Sequence, residues 1–270
     1  MLRATVTFVF VFTIITTSGA HAGPPVARFQ SVLGDFEVLL NPNAAPISVT
    51  NFASYANRGD YDSTLIHRST TYDSTDIQIV QGGGFGLVGN SIDAVLTDPP
   101  IPLEAGLSNT RGTIAMARTV DPNSATSQWY FNVQSNPALD FNYAVFGRVI
   151  GTGMSVVDAI GAVDVYNASG ALGASFSQLP LLAPLLVPAN LVLIDSVRVE
   201  PFAITNISRE NNAIQLRWTA LSTNTPVRVE RTTNLAGDSW MTIATNLTVN
   251  SFIDTNAPSR RAYYRLVTEK

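Results

Sequence analysis

Apolar and polar residues alternate with a period of two along most of this chain, the spacing typical of β-strands with one buried face. The first such stretch extends from Val26 to Val32, and after a turn at Gly34-Asp35 a second extends from Phe36 to Leu40. This pattern predicts that the chain opens with a β-hairpin. Further short strands, separated by Gly, Asp and Asn, are predicted as far as Leu191–Val199.

Two stretches change to helical spacing. The first predicted helix extends from Ile47 to Asn57 and is stopped by Gly59, and the second extends from Met154 to Ile160 and is stopped by Gly161. Two helices around many short strands indicate a mainly β structure, a closed antiparallel β-barrel capped by two helices.

A second group of alternating stretches follows Glu200-Pro201. Its predicted strands are Ile214–Trp218, Val227–Arg231, Trp240–Ile243 and Ala262–Val267. We therefore predict a first unit over residues 23–200 and a small β-sandwich-like unit over residues 201–270.

Two aromatic residues of the second unit and one apolar segment before it call for an interpretation. Trp218 in an early strand and Tyr264 in a late strand resemble the pattern of a fibronectin type III-like sandwich. A core position is favoured for both, and ligand binding is the alternative.

The segment Gln178–Ala189 is apolar but interrupted by prolines, so an ordered loop is predicted there rather than a membrane span.

Composition limits the classes of partner. Hydrophobic residues make up 46% of the chain, which is enough for a packed core, and charged residues only 13%. The net charge is −4; the first unit is acidic and the second slightly basic. An acidic main unit argues against nucleic-acid binding. Separately, we expect the protein to be a monomer.

The N-terminal segment Met1–Ala22 has the features of a secretory signal. Arg3 supplies the positive start, Val6–Ile15 the apolar stretch, and Ala20-His21-Ala22 a small-x-small cleavage site. We therefore predict an exported protein, periplasmic or extracellular, without stable membrane insertion after cleavage.

The chain contains no cysteine, so disulfides, thiol nucleophiles and thiolate metal ligands are excluded. After removal of His21 with the signal, His67 would be the remaining imidazole. A multi-histidine metal site within one mature chain is therefore excluded, and neither a metal nor a cofactor is predicted.

The most informative motif is the run from Gly112 to Asn132, GTIAMARTVDPNSATSQWYFN. It resembles the central motif of cyclophilins, whose usual form is GT-x-AMAR…SATSQFFIN. Further segments resemble that family in the same order, and these are Pro46–Tyr61, His67-Arg68, Gln81–Gly84, Leu139-Asp140 and Tyr143–Arg148.

The resemblance implies a cyclophilin-like barrel with peptidyl-prolyl cis-trans isomerase activity on proline-containing polypeptides. It also implies a role for individual residues. Arg68 would be the catalytic residue, Gln81 and Gln128 would hold the substrate backbone, and Arg118 would offer its own backbone to the groove. The remaining substrate-binding positions are apolar or aromatic, and these are Ile79, Met116, Ala117, Tyr130, Leu139 and Tyr143.

The reaction explains why these residue types are needed. Rotation about a peptide bond loses amide resonance, a barrier of ~18–20 kcal/mol. Catalysis requires no nucleophile. It requires an apolar hold on the proline ring, a grip on the flanking chain and a donor directed at the amide as it twists.

Two further features allow alternatives. His67 is interpreted as a structural histidine rather than a member of a catalytic triad, since no nucleophile-elbow motif is present. The glycines of Gln81–Gly84 are interpreted as a sharp turn behind the pocket rather than a phosphate loop, since no Gly-Lys-Ser/Thr follows.

The sequence departs from the family pattern around the proposed pocket. Ser69–Asp76 is an insertion, and Gln78 stands where the family has phenylalanine, so that Ile77 or Tyr72 would take that place. Ala138 replaces a larger aromatic residue of some members.

We predict a peptidyl-prolyl isomerase that assists the folding of exported proteins. The alternatives are a non-catalytic peptide-binding module with the same fold, or a surface-binding protein that acts through its C-terminal unit.

Overall fold

The computed structural model describes residues 24–70, 77–210, 213–219, 226–234, 239–258 and 262–268. The strands are β1 Val26–Ser31, β2 Phe36–Leu40, β3 Thr64–Leu65, β4 Arg68–Ser69, β5 Ile79–Gly82, β6 Phe85–Val88, β7 Ser91–Ala94, β8 Thr113–Met116, β9 Trp129–Asn132, β10 Val145–Ile150, β11 Val165–Tyr166, β12 Leu179–Pro180, β13 Leu193–Glu200, β14 Ile204–Glu210, β15 Ala213–Trp218, β16 Val227–Thr232, β17 Met241–Leu247, β18 Ser251–Asp254 and β19 Tyr263–Thr268. The α-helices are α1 Pro46–Arg58, α2 Met154–Gly161 and α3 Ser169–Leu172, and the 3-10 helices are Pro137–Leu139, Ala174–Phe176 and Pro188–Asn190.

Eleven strands of the first unit form one curled antiparallel sheet, in the order β4-β5-β9-β8-β10-β2-β1-β13-β3-β6-β7. The segment 64–69 contributes β4 at one end of this order and β3, the third strand from the other end. The N–H of Ile66 donates to the carbonyl of Val192 (2.9 Å), and the N–H of His67 donates to the carbonyl of Gln81 (3.1 Å). The prediction of a mainly β structure built on an antiparallel sheet is confirmed.

Aromatic side chains fill the concave face of the curled sheet. Phe29 stacks on Phe36 with ring centroids 4.8 Å apart, and the edges of Trp129 and Phe131 meet Phe29 at 5.3 and 5.4 Å. All of these rings are essentially fully buried. Burial of each large apolar side chain contributes roughly 1.5–3 kcal/mol, so this cluster supplies stability to a chain that lacks disulfides.

The long helix α1 agrees with the prediction within one residue at each end. Pro46 occupies its first turn, and Gly59 ends it in the left-handed region with φ +83°. The N-terminus is capped from a distant segment, because the Glu104 carboxylate accepts hydrogen bonds from the backbone N–H groups of Ile47 and Ser48. No local sequence signal indicates that contact.

Other boundaries differ from the predictions. Gly161 is the last residue of α2 rather than its stop, and α3 was not predicted. The predicted loop Gln178–Ala189 contains β12 and the start of a 3-10 helix. It is held in place because Leu179 and Leu181 are buried in an apolar cluster with neighbouring leucines and Phe176.

The second unit consists of two three-stranded antiparallel sheets, β14-β15-β18 and β17-β16-β19. The sequence pattern did not predict β14 or β18. Trp218 is buried between the sheets, as expected for a core residue. A polar link also joins them, since Asp254 of β18 accepts from Nη1 of Arg231 (2.6 Å) and from the Tyr264 hydroxyl (2.9 Å).

Candidate active site

A row of polar side chains crosses one face of the curled sheet at its β4 end. Nε of Arg68 donates to Oε1 of Gln178 (3.0 Å), and Nη1 of Arg68 donates to Oε1 of Gln81 (3.4 Å). Nε2 of Gln81 in turn donates to Oε1 of Gln128 (2.8 Å). Arg68 is only partly buried, and neutral amide oxygens accept the hydrogen bonds that its guanidinium donates.

Strand register places this polar row in line with an apolar patch. Arg68 pairs with Gln81, Gln81 with Tyr130, Tyr130 with Ala115, and Ala115 with Val145. Directly paired residues lie on the same face of a sheet. The register therefore sets Arg68 at one end of a cross-strand row, and the apolar residues Ala115 and Val145 at the other end.

The apolar patch contains most of the predicted pocket residues. Ile79, Ala117, Tyr130 and Leu139 belong to one buried cluster, and Tyr143 packs against it. Tyr130 and Tyr143 meet edge to face with ring centroids 5.7 Å apart. The cluster combines two aromatic rings with small and branched side chains, and this composition suits an apolar ring such as that of proline.

Met116 is a correction to the predicted pocket. Its side chain is 1% exposed and lies in the main core with Trp129 and Phe131. Successive residues of a strand point to opposite faces, so Ala115 and Ala117 face the apolar patch while Met116 faces inward. The motif resemblance located the strand correctly but not the direction of this side chain.

Arg118 contributes more than its backbone. Its guanidinium carbon lies 4.7 Å from the centroid of the Tyr143 ring, and its Nε donates to the carbonyl of Asn142 (2.7 Å). A cation over the face of a tyrosine is attracted by the ring quadrupole. Arg118 therefore restrains the orientation of the Tyr143 ring.

His67 is buried directly behind Arg68. Burial, and secondarily the neighbouring Arg68 cation, lowers the pKa of its imidazole from 6.5 to about 4. The ring meets Phe85 edge to face at 5.0 Å. A neutral, enclosed imidazole of this kind favours the structural interpretation over a catalytic triad.

The glycines after Gln81 allow the chain to pass close to the core residue Trp129 and to Gln128. A Cβ at Gly83 would lie 2.7 Å from Nε1 of Trp129, and a Cβ at Gly84 would lie 2.7 Å from the side-chain amide carbon of Gln128. Gly83 also has φ +76°. The turn thus requires glycine on account of both its space and its backbone conformation.

A buried network of asparagines supports the patch and was not predicted. Oδ1 of Asn109 accepts from the Tyr130 hydroxyl (2.7 Å) and from Nδ2 of Asn132 (3.2 Å). Nδ2 of Asn136 donates to Oδ1 of Asn132 (2.7 Å) and to the carbonyl of Gln78 (3.0 Å). The sequence does show asparagines beside strands and turns. Nothing in it indicates that these asparagines form hydrogen bonds with one another.

The departures from the family pattern can be located in part. Ile77 packs against the apolar patch beside Gln78, which favours it as the substitute for the usual phenylalanine. Tyr72 and most of the Ser69–Asp76 insertion lie outside the described residues. Ala138 is exposed next to Leu139.

In the described part of the chain, no group of three or more His, Asp or Glu side chains is arranged to hold a metal ion. None of the helices in those same ranges combines the length and apolarity needed to cross a bilayer. The chemistry that the site offers is a hydrogen-bonded cation in line with an apolar cluster.

Comparison with known proteins assigns residues 26–173 to the model of "Cyclophilin type peptidyl-prolyl cis-trans isomerase/CLD". The chain is 44% identical over 141 residues to peptidyl-prolyl cis-trans isomerase A of Dickeya dadantii, covering 50% of this chain and 70% of the relative. It is 38% identical over 148 residues to peptidyl-prolyl cis-trans isomerase B of Escherichia coli, covering 51% of this chain and 85% of the relative. A crystal structure of a Cryptosporidium parvum cyclophilin-type isomerase aligns with TM-score 0.48 and 20% identity, over 66% of this chain and 98% of that one.

Proposed function

This chain belongs to the family of cyclophilin-type peptidyl-prolyl cis-trans isomerases, and from that membership we propose that the surface around Arg68 is its active site. The chain is accordingly an enzyme of the isomerase class, and the substrates of its family are proline-containing polypeptides. On this proposal Arg68 is the catalytic residue, and the apolar patch beside it receives the proline ring.

The proposed role of Arg68 follows from the chemistry of the amide. As the bond before proline twists, its nitrogen loses conjugation and becomes a better hydrogen-bond acceptor. A guanidinium that is already oriented can donate to this nitrogen or to the neighbouring carbonyl with little reorganisation. Stabilisation that is greater in the twisted state than in either planar state raises the rate.

The observation that carries the proposal is the cross-strand row from Arg68 through Gln81 and Tyr130 to Ala115. It sets a cation, an amide and an aromatic ring on one face of the sheet at neighbouring positions. On this proposal Gln81 and Gln128, which are hydrogen-bonded to each other, would grip the substrate backbone, and Leu139 and Tyr143 would contact the proline ring.

Exchange between cis and trans forms of a proline-containing peptide tests the proposal. We expect Arg68→Ala to lower kcat/KM by a hundredfold or more, about the loss seen when one preorganised transition-state donor is removed. Arg217→Ala is the control, because Arg217 is an exposed arginine of the second unit, and it should leave the rate unchanged.

Two outcomes would contradict the proposal. A wild-type rate equal to uncatalysed exchange would favour the alternative of a peptide-binding module without turnover. A normal rate in Arg68→Ala would show that another group supplies the catalysis.

The biological setting is part of the proposal. The signal-like segment Met1–Ala22 supports export to the periplasm or the extracellular space, where the enzyme would assist the folding of other exported proteins. Peptide sequencing of the N-terminus from an expressing cell tests this, and a mature chain that begins near Gly23 is expected.

The second unit, residues 201–270, is proposed to be a fibronectin type III-like module. The split into two three-stranded sheets and the buried Trp218 support this assignment. The second candidate function is binding of a surface ligand by this unit, and the open cleft of about 330 Å³ beside Met241 and Ile253 is the place proposed for it. Binding of cell-wall fractions that is lost in Met241→Asp would test it.

A further inference from the structure

The guanidinium of Arg68 is held by two amide oxygens from different parts of the chain. Gln81 lies on the neighbouring strand, and its Oε1 accepts from Nη1 at 3.4 Å. Gln178 lies 110 residues further along, and its Oε1 accepts from Nε at 3.0 Å. The bond to Gln178 is the shorter of the two. It also fixes the atom at which the planar guanidinium joins its flexible stem.

Gln178 comes from a segment beyond the family match, which ends at residue 173. Its backbone is nevertheless pinned beside Arg68, because the carbonyl of Gln178 accepts from the N–H of Ser69 (2.9 Å). Leu179 and Phe176 flank Gln178 and are 0% and 3% exposed, in a cluster that also contains Leu65. The glutamine therefore projects from a fixed backbone.

We propose that Gln178 is a positioning residue that sets the direction of the Arg68 guanidinium toward the substrate amide. The inference rests on the proposed catalytic role of Arg68. An arginine side chain has several rotatable bonds, and one acceptor at Nε removes much of that freedom before substrate arrives. Acceptors at both Nε and Nη1 together restrict rotation of the guanidinium.

The amide of Gln178 is a suitable acceptor for a residue that orients Arg68. A neutral oxygen orients the guanidinium without cancelling its charge, whereas a carboxylate at the same place would form an ion pair with it. An arginine that works by donating to a weakly basic nitrogen must keep its full positive field. Gln178→Glu should therefore lower kcat although it strengthens the contact.

Gln178→Met is the primary test, because methionine keeps the length and flexibility of glutamine and removes the acceptor. We expect kcat/KM for a proline peptide to fall about tenfold, mainly through kcat, with KM and the melting temperature nearly unchanged. The 15Nε–H resonance of Arg68 should shift and exchange faster with solvent. Gln215→Met, the same change at a half-buried strand position of the second unit, should alter none of these.

A double-mutant cycle separates positioning from a general structural effect. Lysine has no Nε–H fork, so in an Arg68→Lys background Gln178→Met should cause little further loss. An equal loss in both backgrounds would overturn the inference, as would an unchanged kcat in Gln178→Met. These results are distinguishable from failure of the proposed function, which would appear as a normal rate in Arg68→Ala.

Discussion

At the scale of single residues, the direction of each side chain decides its role more than its identity does. His67 and Arg68 are adjacent, yet one is enclosed and neutral while the other presents a charge at the surface. The same alternation sends Met116 into the core and Ala117 to the patch. The motif predicted the strand that contains Met116. It did not predict which face of the sheet this side chain lies on, and Met116 was therefore wrongly assigned to the substrate-binding positions.

The buried His67 predicts a pH dependence of stability. Its folded-state pKa of about 4 lies below the ordinary 6.5, so as pH falls the unfolded chain takes up the proton first. Stability is therefore retained above about pH 6.5 and lost as the pH falls toward 4. Between pH 7 and pH 5 the loss from this residue should be about 2 kcal/mol.

Urea denaturation of wild type and His67→Gln at both pH values measures this contribution. The free energy of unfolding of the wild type should fall by about 2 kcal/mol more than that of the variant over this range. Carboxylates titrate in both proteins and cancel in the comparison. Parallel pH profiles would show that His67 is not the group responsible.

At the scale of elements, the turn between β5 and β6 combines two demands at Gly83. Its φ of +76° disfavours any other residue, and an added Cβ would meet Trp129 at 2.7 Å and the carbonyl of Ser127 at 2.8 Å. Gly83→Ala should lower the free energy of unfolding by at least about 2 kcal/mol, from backbone strain plus the clash. Chemical denaturation measures it.

Gly89→Ala is the matched control for that substitution. Gly89 has φ +63°, but a Cβ there would find no atom within 4 Å. Its cost should be confined to backbone strain, about 1 kcal/mol. Equal losses in the two variants would mean that the contact with Trp129 is unimportant to the turn.

Features of the elements that depend on nearby residues can be predicted from the sequence, whereas contacts between distant segments cannot. Local signals located α1 and the glycine turn, because proline, glycine and apolar spacing act within a few residues. The cap on α1 by Glu104 and the bonds among Asn109, Asn132 and Asn136 join segments that are distant in sequence. Such contacts depend on the finished topology and leave no periodic pattern.

At the scale of the whole molecule, the two units share an apolar cluster. Phe202 is 1% exposed and packs with Val26 and Ile150 of the first unit and with Leu216 and Trp218 of the second. The sequence indicated a change near Glu200-Pro201 but not this packing, because the partners are far apart along the chain. The second unit therefore packs against strands of the curled sheet through this cluster.

Phe202→Ala tests the importance of this cluster. Removal of a fully buried aromatic ring should lower the free energy of unfolding by about 3–5 kcal/mol. Phe141→Ala is the control, since Phe141 is 75% exposed, and it should cost less than about 0.5 kcal/mol. A small loss in Phe202→Ala, with unfolding separated into two transitions, would show that the units are stabilised independently.

The pairing of Val26 with Glu200 also sets the order in which a newly made chain can gain structure. β2 follows β1 within a few residues, so one side of β1 can be satisfied as soon as that hairpin forms. The other side waits for β13, which is synthesised only after the remaining strands of the curled sheet. Throughout that interval β1 presents an open edge to other chains, so aggregation competes with folding until residue 200 has emerged.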